Sequence, residues 1–204
     1  MTILTVNTGS SSVRLAVFAP EGESLSRRAS GHFSGDRNDL AAMLRIFLSD
    51  HGIEQVATVA HRVVHGSARL TAPCRIDASV EAEIESLAPL APLHNPRALE
   101  WIRACRAVLG AGVVQVAVFD SGFYARLPEV ARHYALPPRL GLRRYGFHGI
   151  AHQAMWQRWC EHQPGSADRG RVRRCVISLQ LGAGCSITAI ADGVPQDTSM
   201  GFSP

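Results

Sequence analysis

No Cys-x-x-Cys pair occurs among Cys74, Cys105, Cys160, Cys175 and Cys185, and their odd number and wide spacing argue against both a disulfide framework and a zinc site. Reduced thiols are expected. No apolar run reaches the ~18 residues a membrane span needs, and the first strand-like run starts almost at Met1, with no basic stretch or small-residue cleavage site before it. A cytoplasmic chain is expected, neither secreted nor membrane-spanning. The phosphate-loop pattern G-x-x-x-x-G-K-[ST] is absent, so any nucleotide is held in another way. His148 and His152 have the spacing of a metal pair, but Gly149 stands where H-E-x-x-H needs glutamate. That argues against zinc hydrolysis and favours a packed or capped His152. The net charge of +4 comes without a stripe of arginines interleaved with aromatics. The arginines are scattered, with one run at Arg169, Arg171, Arg173 and Arg174, so nucleic acid is not favoured and small anions are an equally good reason for the basic balance.

The 204 residues, 46% of them hydrophobic, are enough for a real core in one or two domains. Ile3 to Phe18 packs two apolar runs around a cluster of donors and reads as strand, phosphate-holding turn, strand. Val13, Leu15 and Val17 fall on one face of the second run, and Ser12, Arg14 and Ala16 on the other. Between the runs, Gly9 lets backbone N–H groups approach an anion, three serines add hydroxyls, and Arg14 adds a positive charge. A merely polar turn is the plainer alternative.

Beyond the hairpin, Ala19 to Gly22 turns the chain and a polar stretch runs through Gly35 and Asp36. A helix follows, carrying Leu40, Met43, Leu44 and Phe47 at helical spacing. Val56 to Val64 reads as a strand delivering His61, Arg62 and His65. Asp77 or Ser79 caps a second helix toward Leu87, and Arg97 to Leu109 forms a third. Val113 to Phe119 looks like a buried parallel strand ending on Asp120, where open α/β sheets bind ligands. Leu127 to Arg132 and Gly149 to Glu161 read as helices. Arg174 to Leu181, the Gly182-Ala183-Gly184 turn and Ser186 to Ala191 then repeat the opening hairpin. Two related lobes are expected, each offering a phosphate turn to one cleft.

The segments VNTGSSSVRL, HRVVHG, APLHNP, VAVFDSGFY, LPEVARHYALP, RRYGFHGIAH, LGAG and DTSMGFSP resemble, in order, the motifs of the acetate kinases. That family includes propionate and butyrate kinases and shares with actin, Hsp70 and sugar kinases a duplicated α/β fold of mixed sheets flanked by helices. The resemblance implies an actin-like first lobe at 1–122 and the beginning of a second at 123–204. It implies reversible, magnesium-dependent phosphoryl transfer between ATP and a short carboxylate, giving ADP and an acyl phosphate. Carried over by position, Asn7 would help hold magnesium, and Ser10, Ser12 and Arg14 would lie along the phosphates, with Gln180, Leu181, Gly182, Ala183 and Gly184 also facing the nucleotide. Arg62 would bind the carboxylate or acyl phosphate, and His148 would stabilise the transferring phosphoryl group. Val64, Leu93, Phe147 and Pro204 would line the acyl pocket.

Asp120 matches the family's essential acid. A carboxylate substrate is already ionised at neutral pH, so orienting magnesium through water or holding Arg62 suits Asp120 better than proton transfer.

Three departures stand out. Arg14 replaces the usual lysine, a planar fork for a compact ammonium. Gln180 to Gly184 reads QLGAG where the family has HLGNG, losing an imidazole and an amide. The chain ends at Pro204, about halfway along a family member, so the second lobe is expected to be incomplete and its apolar sheet face open. A homodimer or a complementary C-terminal half is the implied protein partner, with no nucleic acid or membrane. The alternative is a non-catalytic remnant that binds acyl phosphate or a partner chain.

Overall fold

The computed structural model describes residues 2–34, 39–162 and 174–204. The expected polar stretch at Gly35 and Asp36, and Arg169, Arg171 and Arg173, lie outside the described residues. The chain divides into two compact units, Met1–Val63 with Ala72–Val118 and Val64–Thr71 with Phe119–Pro204.

In the first unit, β1 (Ile3–Thr8), β2 (Ser12–Glu21) and β3 (Ser24–Ser34) form an antiparallel meander. The expected hairpin is there, with Val13, Leu15 and Val17 buried on one face. The third strand replaces what reads as a polar stretch. SLSRRASGHFS has little of the β-branched alternation that signals a strand, and its long ladder with β2 supplies the order instead.

Asp39 caps α1 (Leu40–Asp50) by accepting from the Ala42 N–H at 2.8 Å. β4 (Thr58–Val63) runs parallel to β1. After β5 (Cys74–Arg75), Asp77 caps α2 (Ala78–Ser86), and α3 (Asn95–Leu109) leads into β6 (Val114–Phe119). The sheet order is β3-β2-β1-β4-β6-β5.

β6 corrects the expectation of a strand buried on both faces. Val114, Val116 and Val118 are only half-buried and alternate with buried Gln115, Ala117 and Phe119, and β5 pairs antiparallel on one side. One face of the sheet carries the core, in which Leu4, Val6, Leu15 and Val59 meet Met43, Leu44 and Phe47 of α1 and Trp101 and Cys105 of α3.

In the second unit, a 3-10 segment (Asp120–Arg126), the short α4 (Glu129–Arg132) and α5 (Gly149–Glu161) accompany an antiparallel sheet. Its strands are β7 (Cys175–Leu181), β8 (Cys185–Ala191) and β9 (Val194–Thr198), in that order. The turn Asp192-Gly193 joins β8 to β9 with φ positive at both residues (49° and 79°), the geometry of a tight two-residue hairpin. All five cysteines are free thiols. No helix among the described residues is long and apolar enough to cross a membrane.

The face of this sheet under α5 buries the polar Ser178, Ser186, Thr188 and Thr198 together with Ile190. The opposite face is apolar and open: Ile177 is 63% exposed, Leu181 69%, and Leu179 and Ile187 are exposed beside them. The open apolar face is as expected.

Candidate functional site

In the first unit the β1–β2 turn is closed by the Gly9 N–H donating to the Ser12 carbonyl at 2.7 Å. Ser10 and Arg14 are exposed, Ser12 is half-buried, and Asn7 stands opposite Arg14 in the β1–β2 register. Because β4 lies in parallel register with β1, Arg62 arrives beside the same strand end. Its Nη1 donates to Asn7 Oδ1 at 3.2 Å and to the Thr8 carbonyl at 3.0 Å. Asn7, Arg14 and Arg62 therefore gather on one part of the sheet. An open groove of about 490 Å³ continues from Asn7 and Arg14 past Arg27, Ser30 and His32. The Thr8 hydroxyl is buried with no hydrogen-bond partner among the described residues. Leu93, expected in an acyl pocket, is 65% exposed in this unit.

In the second unit the chain after β4 is stapled to the start of the 3-10 segment. The Ser121 N–H donates to the Val64 carbonyl at 3.3 Å, and the Gly66 N–H donates to Ser121 Oγ at 2.9 Å. Asp120 is 1% exposed. Gly149 lies against its carbonyl so closely that a Cβ at 149 would collide with it, which is the physical reason no glutamate can follow His148 here. Val64 and Phe147 are buried and Pro204 is half-buried.

His65 is buried edge-on against Tyr145 (4.5 Å between centroids) and near Phe147 (5.6 Å), and its Nδ1 accepts from the Ser67 N–H at 3.0 Å. Burial, reinforced by the Arg143 charge, pulls its pKa down to about 4, so it is neutral at pH 7.

His148 is the first residue before α5 and adopts the left-handed conformation (φ 58°, ψ 23°), a sparsely populated region for a non-glycine residue. Two residues earlier, Gly146 (φ 102°) passes so close to the Tyr124 ring that no Cβ fits. The result aims the His148 ring at the β7–β8 hairpin, where Nδ1 lies 2.9 Å from Ser186 Oγ. His152, one turn on, is fully buried between Ser178 (2.9 Å from Nδ1) and Ser186 (2.8 Å from Nε2). Burial and then the neighbouring His148 lower its pKa to about 4.

At the hairpin tip, Leu181 to Gly184 are exposed and Gln180 is half-buried, with the Gly182 N–H donating to the Gly184 carbonyl at 3.2 Å. The end of β9 and the segment after it are held from the RRYGFHG stretch. The Arg144 guanidinium donates to the Thr198 carbonyl, to Asp197 Oδ1 at 3.1 Å and to the Ala131 carbonyl at 3.3 Å, while the Tyr145 N–H donates to the Gly201 carbonyl at 2.9 Å.

The sequence pattern of the acetokinase family matches residues 28–204. The chain belongs to that family. It is 41% identical over 182 residues to the acetate kinase of Thermosynechococcus vestitus, an alignment covering 85% of this chain and 43% of that protein. Among solved structures, a propionate kinase from Francisella tularensis matches with a TM-score of 0.81 at 32% identity, over 100% of this chain and 58% of that one. The Porphyromonas gingivalis acetate kinase matches with a TM-score of 0.81 at 31% identity, again over 100% and 58%. The chain thus spans about half the length of the relatives it matches, and its fold is the α/β actin-like fold of these acetokinases.

Within this acetokinase chain, sequence reasoning missed His65, Arg144, Ser178 and Ser186. His65 and Arg144 lay inside quoted motifs without a role. A usable signal for the serines was present: hydroxyls at 178 and 186 on one strand face, opposite two histidines four residues apart.

Proposed function

We propose that this chain carries much of the machinery of an acetate kinase-type phosphotransferase, moving a phosphoryl group reversibly between ATP and a short-chain carboxylate to give ADP and an acyl phosphate. The observation that carries this reading is the Arg62 guanidinium seated on Asn7 and Thr8 beside Arg14, in a chain of the acetokinase family. Both reactants are anions, so most of the task is neutralising charge and aligning the groups in line. By position in the family pattern, Arg62 is read as taking the carboxylate or acyl phosphate, and Val64, Leu93, Phe147 and Pro204 as acyl-group residues. Ser10, Ser12 and Arg14 in the first unit and Gln180 to Gly184 in the second are read as nucleotide-phosphate residues, and His148 as acting on the transferring phosphoryl group. Asp120 holds a charge in place and moves no proton, because the acceptor carboxylate is already ionised at pH 7. Residues 1–122 are read as a first actin-like lobe and 123–204 as the beginning of a second, in a cytoplasmic protein.

Magnesium fits this donor set in a limited way. No cluster of three or more His, Cys, Asp or Glu side chains suited to a metal occurs among the described residues, and magnesium in general takes much of its shell from substrate phosphates and water. Asn7 Oδ1 keeps one lone pair beyond its bond to Arg62 and would supply a protein oxygen. The ion, when bound, would neutralise phosphate charge.

A hydroxamate assay for acyl phosphate, run with this chain alone and again with the C-terminal half of a relative, tests the proposal. We expect turnover at least in the paired sample, falling by about a hundredfold or more in His148→Ala with a smaller change in substrate affinity. Unchanged turnover in that variant would remove His148 from the chemistry. The QLGAG sequence, with Ala183 exposed at the hairpin tip, favours a second reading as a non-catalytic chain that binds acyl phosphate or a partner chain. Acyl phosphate binding without turnover in either sample would select it. A homodimer or a complementary C-terminal half is the protein partner under both readings.

A further inference from the structure

The side chains behind His148 form one hydrogen-bonded row that ends on a sulfur: His148 Nδ1, Ser186 Oγ, His152 Nε2, His152 Nδ1, Ser178 Oγ and Met155 Sδ. Ser178, Ser186 and His152 are each at most 4% exposed, so the two links between them lie away from solvent. The terminal atom decides the direction of the row. A thioether sulfur accepts but has no proton to give, so in the 3.5 Å contact with Met155 the Ser178 hydroxyl is the donor.

Ser178 has then used its only proton. Its 2.9 Å bond to His152 must therefore be donated by the ring, from Nδ1–H. His152 is neutral at pH 7, since burial, the largest influence on it, outweighs the attraction of Asp120, and a neutral imidazole carries one N–H. Its Nε2 is thus an acceptor, and the Ser186 proton points to it across 2.8 Å. Ser186, having given its proton inward, accepts across 2.9 Å from His148, which must carry Nδ1–H.

We propose that Met155, Ser178, His152 and Ser186 are positioning residues that hold the His148 proton on Nδ1 and leave Nε2 as its basic nitrogen. That nitrogen lies on the side of the ring next to the glycine turn, since a Cβ built at Gly184 would sit 3.6 Å from it. When a phosphorylated ligand binds, Nε2 takes a proton from solvent and His148 becomes an imidazolium. Nδ1–H continues to donate to Ser186, so no buried bond reverses. The row therefore prepares His148 to meet an anion as a cation without reorganising its surroundings. The choice of ligand rests on the phosphoryl-transfer reading, whereas the position of the proton does not.

Long-range ¹H–¹⁵N correlation NMR on the ¹⁵N-labelled chain without substrate, just above neutral pH, reads the tautomers directly. We expect both His148 and His152 as the Nδ1–H form, against the Nε2–H preference of an unconstrained histidine side chain. Ser186→Ala should return His148 to Nε2–H. Met155→Leu, of similar volume, should free the Ser178 proton and give mixed tautomers at both rings, so it tests the same logic should Ser186→Ala lose its fold. His148 found as Nε2–H in the unsubstituted chain, or both rings unaltered in Met155→Leu, would overturn the proposal. Expected tautomers in a chain that never makes acyl phosphate would count against the reaction and leave the proton assignment standing.

Discussion

His61 allows a quantitative test of the first unit. It points inward from β4, 1% exposed, and its Nε2 donates to Gln115 Oε1 of β6 at 2.7 Å, while Gln115 Nε2 donates to the Ile102 carbonyl of α3 at 3.3 Å. The amide spends its donor on α3, so its oxygen faces His61 and the ring carries Nε2–H. His61 Nδ1 is buried without a partner among the described residues, so a second proton there would be a buried charge with nothing to receive it. Burial accordingly lowers the pKa to about 4 from 6.5, against the opposing effect of the Gln115 bond. In the window between those values the unfolded chain binds a proton that the folded chain refuses, so stability rises with pH across it and falls as acid is added. Between about pH 7 and about pH 5 this one group removes roughly 2 kcal/mol. Urea unfolding of the wild type and of His61→Gln, followed by circular dichroism at both pH values, isolates the effect, because the amide can still donate to Gln115 but does not titrate. We expect the acid-induced loss to be smaller in the variant by about that amount. Equal losses in the two proteins would refute the reasoning.

On the proposed phosphotransferase reading, removing the Arg62 guanidinium in Arg62→Ala should weaken acetyl phosphate or acetate by about 10- to 100-fold, the worth of a charge-assisted contact, while changing nucleotide binding less. Calorimetry showing equal loss for both ligands would reassign the residue. Tyr124→Phe should lower stability by about 1–3 kcal/mol, because the buried hydroxyl donates to the Phe147 carbonyl at 3.0 Å and bonds Thr188 Oγ1 at 2.7 Å. An unaltered melting curve would show that neither bond matters. The open apolar face at Ile177, Leu179, Leu181 and Ile187 should bind a hydrophobic dye or cause self-association, and Leu179→Lys with Leu181→Lys should suppress both. A monomeric, dye-silent wild-type chain would contradict that.

The contrast between the two units shows where the sequence was legible and where it was not. In β1, β2, β4 and α1, apolar residues recur at the period of the element and face a core built from the same kind of residue, so pattern and packing agree. The strand β3 broke that agreement because a neighbour's ladder, and not its own side chains, supplies its order. The sequence of β7 and β8 reads as two strands around the Gly182 to Gly184 turn, as found, yet a strand reading alone does not say which face is turned inward. Hydrophobicity assigns Ile177, Leu179, Leu181 and Ile187 to a core, whereas within this unit the buried face is the one with Ser178, Ser186 and Thr188. What holds it there is pairing of donors with acceptors: His152 needs two partners and finds two serines, and the Tyr124 hydroxyl finds Thr188 and a carbonyl. Such a network stabilises only when every member is satisfied. That makes Ser186 a strict position of the unit, since its one hydroxyl bonds both histidines, and it ties the packing of α5 on its sheet to the proton on His148.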